Sequence, residues 1–127
     1  MVAAMTEGRA RLCQTLTEFT SCDGQSVCLR GFYRSASIRQ KGTAQRSPGD
    51  HAYIRLSDGA EILLSTSWAP EGRRTTEEIR RFENQLVEVE GIAHAKSPKP
   101  PQDIAYIVGP CVSPVVAIRL AQPGIDQ

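Results

Sequence analysis

The succession of elements is the feature that most restricts what this chain can become. Between residues 25 and 121 the sequence gives three strand-like runs, one short capped helix and two further strand-like runs, the order β-β-β-α-β-β. The runs alternate apolar and polar residues, so each presents one face to a core, and the order predicts a mainly β domain. A chain of 127 residues has room for one such domain with one core.

The first strand is expected over residues 25–35, where Val27, Leu29, Gly31 and Tyr33 alternate with Cys28, Arg30, Phe32 and Arg34. Gly31 suits a sharp bend in the middle of a strand. A long polar stretch over 36–50 contains Gly42, Ser47, Pro48 and Gly49 and reads as a loop. The second strand is expected over 51–57, with Ala52, Ile54 and Leu56 on one face and His51, Tyr53 and Arg55 on the other. Asp58-Gly59 signals a hairpin, after which Ala60, Ile62 and Leu64 continue the inward face on the third strand. Thr75 and Glu78 form a capping box for a helix ending near residue 84, and Ile79 and Phe82 give it a short apolar seam. In the fourth strand, over 85–94, Val87, Val89 and Gly91 alternate with Glu88 and Glu90. Pro98, Pro100 and Pro101 enforce an extended connection. The fifth strand is expected to start at Ile104 and to be interrupted at Pro110 and Pro114, which leaves Val115 to Leu120 as a bent continuation or a separate edge strand.

Residues 1–24 are read as an N-terminal helix and linker, and residues 122–127 as a loose tail. The helix is expected over 6–20, capped by Thr6, with Leu12, Leu16 and Phe19 on one stripe that packs on the domain or on a partner. Fifteen basic against fourteen acidic residues leave a net charge of +1, so any attraction to nucleic acid has to be local. No apolar run approaches the roughly 20 residues that span a bilayer, and the N-terminus lacks a basic start followed by an apolar segment, so the expected location is cytoplasmic. The four cysteines, Cys13, Cys22, Cys28 and Cys111, form no close pair and have only His51 and His94 as nitrogen co-ligands. They are expected to be buried reduced thiols, with no metal and no cofactor.

The stretch from Gln25 to about Leu120 resembles the OB-fold, the small five-stranded Greek-key β-barrel that binds oligonucleotides and oligosaccharides. The residues that carry the resemblance are Val27-Cys28-Leu29-Arg30-Gly31, the Asp58-Gly59 hairpin and Val87-Glu88-Val89-Glu90-Gly91. The resemblance implies a barrel over 25–121 whose ligands lie on the outer face of its second and third strands, between the first long loop and the loop joining the last two strands.

The strongest charge bias in the chain lies beside that surface, and the expected binding surface is the basic-aromatic face of the first and second strands. Between Gly24 and Gly49 no acidic residue occurs, while Arg30, Arg34, Arg39, Lys41 and Arg46 are all basic. Arg30-x-Phe32-x-Arg34 and His51-x-Tyr53-x-Arg55 interleave aromatic and basic groups on the outward faces, and Lys96 and Lys99 flank them. Phosphates need positive charge and unstacked bases need a flat apolar surface, so the mixture fits single-stranded nucleic acid. Trp68, the one tryptophan, is either a lid on the barrel end or an exposed contact anchor. Solvated loop charges and ordinary cross-strand neighbours are the competing explanation, under which the chain is a protein-binding adaptor or a structural subunit of a larger assembly. No glycine-rich phosphate loop and no nucleophile with its base stands out, so a non-catalytic role is expected.

Overall fold

The computed structural model describes residues 10–36, 49–104 and 106–121. Six strands form one mixed sheet: β1 (Arg11–Cys13), β2 (Ser26–Ala36), β3 (His51–Arg55), β4 (Glu61–Leu64), β5 (Leu86–His94) and β6 (Cys111–Leu120). Two short helices, α1 (Leu16–Thr20) and α2 (Thr76–Phe82), complete the fold with a 3₁₀ turn at Pro70–Gly72. No helix among the described residues is long and apolar enough to cross a membrane.

The pairings return to the strand from which they start. β2 pairs with β3, β3 with β4, β4 with β6, β6 with β5, and β5 again with β2. Alternation produces the core: Val27, Leu29, Tyr33, Ile54, Ile62, Leu64, Val87 and Val89 are all fully buried, and Leu56 nearly so. Two glycines sit where strands cross closely. A Cβ on Gly31 would run into the Arg55 carbonyl oxygen, and one on Gly91 into the Pro114 carbonyl oxygen, so neither position has room for a side chain. The Asp58-Gly59 turn follows the expected pattern, with Gly59 at φ 88° and Leu56 N–H donating to Ala60 O at 2.8 Å. Helix α2 is capped as its sequence predicts, the Thr75 hydroxyl accepting from Glu78 N–H at 3.1 Å, and it buries Phe82 against Tyr33 with ring centroids 5.9 Å apart.

The N-terminal segment departs from expectation. Thr6 lies outside the described residues, Arg11–Cys13 is a strand, and the helix is only Leu16–Thr20, capped by Thr15, whose hydroxyl accepts from Glu18 N–H at 3.2 Å. β3 covers only Phe32 to Ala36 of its edge of β2, and β1 fills the rest, pairing in parallel with Val27 to Leu29. Completing a sheet edge outweighs a helical stripe that is only marginal at this length. Leu12 and Leu16 are accordingly 45% and 37% exposed while Phe19 is fully buried, so the expected stripe does not exist. Cys13, Phe19 and Cys22 belong to the same core cluster as the strands, which makes this arm part of the domain.

The last strand also differs. Ile104 is exposed and outside any strand, and β6 runs unbroken from Cys111 to Leu120 through Pro114. The β5–β6 register shifts between Glu90 and Ala93, and Pro114 falls in that irregularity, where no ladder N–H is needed.

All four cysteines are buried free thiols. Burial, then the neighbouring Cys22, pushes the Cys13 thiol up to about 12, and burial likewise raises Cys28 and Cys111. Among the described residues no three His, Cys, Asp or Glu side chains come together as a metal-holding group.

Candidate nucleic-acid interface

β2 carries the outward row of the site. Phe32 is 49% exposed, with Arg30 and Arg34 two residues away on either side of it and on the same face. Across the antiparallel ladder Phe32 stands opposite Arg55 of β3 on one side and Leu86 of β5 on the other. A groove of about 780 Å³ opens here, and Arg30, Phe32, Arg34 and Arg55 all line it. No acidic side chain is among the described residues of its lining.

The other walls come from segments that strand alternation could not point to. Gln14 reaches the groove from the end of β1, and its carbonyl accepts from both Ser57 N–H (3.1 Å) and the Ser57 hydroxyl (2.9 Å). Leu16 N–H donates to Asp58 Oδ2 at 2.9 Å, so the arm is tied to the hairpin whose Ser57 and Gly59 also line the groove. The Leu16 and Ala60 amides hold the Asp58 carboxyl below its ordinary value. Asn84, at φ 63°, forms the opposite wall with Leu86. An asparagine just past a helix end is a left-handed cap, a signal available in the sequence. Gln14 was hidden because its segment reads as helix.

The positive character stops at β5. Arg30 is in register with Glu88, and the next outward position is Glu90. Arg119 bridges the two, 3.2 Å from Glu88 and 2.9 Å from Glu90, and its bond to Glu90 raises the guanidinium further.

The remaining expected site residues are placed elsewhere. His51 is buried at 4% exposure instead of facing outward, its Nδ1 3.0 Å from Asp50 Oδ1. The Asp50 carbonyl also accepts from Arg74 N–H, which ties the start of β3 to the segment before α2. Tyr53 is half-buried opposite Arg34 and Leu63 and does not line the groove. Lys96 and Lys99 are exposed on the β5–β6 connection, outside the groove. Arg39, Lys41 and Arg46 lie outside the described residues.

Trp68 lines a second cleft of about 490 Å³ that shares no residue with the first. Its indole N–H donates to Pro98 O at 2.9 Å, and Pro70, Pro114 and Val115 complete an apolar wall. Arg74 borders this cleft but is bonded to Glu78 through Nε (2.7 Å) and Nη2 (3.0 Å) and to Glu71 O through Nη1 (3.1 Å). Tyr33 Oη donates to the same Glu78 carboxylate at 2.7 Å, and burial together with that carboxylate raises the phenol.

Compared with protein-family models, with curated proteins and with solved structures, the chain matches none.

Proposed function

We propose that the ring of strand pairings is a five-stranded Greek-key barrel of the OB type, and that the chain is a non-catalytic cytoplasmic module binding single-stranded nucleic acid through the Phe32 groove. The strand order supports the barrel, since the five strands from β2 to β6 pair in a closed cycle with one helix before β5. Four free thiols support a reducing compartment. One observation carries the ligand: a half-exposed phenylalanine surrounded by three arginines in a groove with no carboxylate among its described lining residues. An unstacked base lies on the ring, and the guanidiniums take the phosphates. A titration with a single-stranded oligonucleotide at two salt concentrations tests this, with affinity falling steeply as salt rises. A folded protein that binds neither DNA nor RNA single strands at low salt overturns it.

A protein-binding adaptor is the second reading, and the exposed Leu12 and Leu16 on the arm favour it. An interface built on them would be nearly insensitive to salt, which separates the two readings in one experiment.

A further inference from the structure

We infer that the groove holds one nucleotide unit, a single base with its flanking phosphates, and not a run of stacked bases. The inference rests on the nucleic-acid reading above and concerns how much of the ligand the groove takes. Three observations carry it. First, the groove offers one ring: Phe32 is its single aromatic among the described residues, while Tyr33 is buried and Trp68 lines the other cleft. A surface matched to several bases repeats its aromatic platforms, because each base needs its own. Secondly, three arginines surround that ring. Arg30 and Arg34 lie about 7 Å to either side of Phe32 along the strand, and Arg55 is directly across the ladder. A strand brings about one phosphate per base, so three cations around one platform match a base with a phosphate on each side, or a nucleoside carrying several phosphates.

Thirdly, the surface closes on two sides among the described residues. Beyond Arg30 the outward row becomes Glu88 and Glu90, and the cation between them, Arg119, is held by both carboxylates, so the basic row does not continue for a further phosphate. On the hairpin side the arm is bonded across to Ser57 and Asp58 and stands as a wall. The volume of about 780 Å³ lies within the range of about 300–1,000 Å³ typical of sites for one small ligand.

The test is a length series measured by calorimetry at low salt with the full chain. The ligands are thymidine mono- and triphosphate and oligothymidylates of two, four and eight nucleotides, with the oligouridylates in parallel. Affinity should rise up to the dinucleotide and then grow only by the statistical factor for added registers, and Phe32→Ala should weaken every member by about tenfold. A triphosphate that binds as tightly as the dinucleotide assigns the unit to free nucleotides; a weaker triphosphate assigns it to a strand. Affinity that climbs beyond the statistical factor through eight nucleotides overturns the inference and leaves the nucleic-acid reading standing. Absence of binding by every ligand overturns both.

Discussion

The Phe32 groove and the Trp68 cleft each pair an aromatic ring with arginine, yet the two do different work. At the cleft, the indole N–H is given to Pro98 O and the Arg74 guanidinium is locked by Glu78 and the Glu71 carbonyl. At the groove, Arg34 and Arg55 are exposed and Phe32 turns half its surface to solvent. Polar groups already satisfied within the fold stabilise it, whereas exposed ones beside an apolar platform are suited to a ligand. An aromatic–basic pattern in a sequence therefore does not identify a site until the partners of its charges are known.

The largest expected effect breaks the cleft side of this comparison. Glu78→Ala leaves the largely buried Arg74 and the Tyr33 hydroxyl without their shared acceptor, and should cost about 3 kcal/mol of stability, the lower end for breaking a buried pair. Arg34→Ala should stay within about 0.5 kcal/mol, as exposed substitutions do. Urea denaturation of both variants measures the contrast, and equal losses would show that the groove arginine is structural too.

Next in size is the exchange of roles between the two rings. Phe32→Ala should weaken single-strand binding by about 1–3 kcal/mol with an unchanged melting temperature. Trp68→Ala should lower the melting temperature and leave affinity unchanged, because its cleft shares no lining residue with the groove. For the same reason Trp68 fluorescence should not report binding.

A smaller effect sharpens the electrostatic half. Arg34→Ala and Arg55→Ala should each reduce the slope of log affinity against log salt by about 0.7, the contribution of one phosphate contact on a single strand. A slope unchanged in both variants would remove these guanidiniums from the phosphate path.

Much of the frame was legible in the sequence because alternation with period two speaks directly about burial. Val27, Leu29 and Tyr33 on β2 and Val87 and Val89 on β5 are buried as their spacing implies, and the Asp58-Gly59 turn and Thr75 cap stand where local chemistry puts them. What alternation could not supply was pairing between distant segments. Arg11–Cys13 is a strand only because β2 has an edge that β3 leaves uncovered, and nothing within the segment says so. The same limit applies to the site. Arg30, Phe32, Arg34 and Arg55 meet because they share faces of neighbouring strands, whereas His51 is drawn inside beside Asp50, and Gln14 joins through hydrogen bonds to a hairpin 43 residues away.

That last contact yields the subtlest prediction, since it concerns a groove wall instead of the charges within it. Asp58 accepts from Leu16 N–H and Ala60 N–H, and its carboxyl is depressed in the folded protein by those two amides. A depressed carboxylate contributes stability at pH values above its unfolded value, about 3.9 for aspartate, and that contribution is lost as pH falls through the lower folded value. Asp58→Asn keeps an acceptor but removes the titration. The stability difference between native protein and Asp58→Asn should therefore be constant from about pH 8 to pH 5 and shrink only below about pH 4. Denaturation midpoints measured across that range give the answer. A difference that changes near neutrality would mean that the Leu16 and Ala60 amides do not hold the Asp58 carboxyl low in the folded protein.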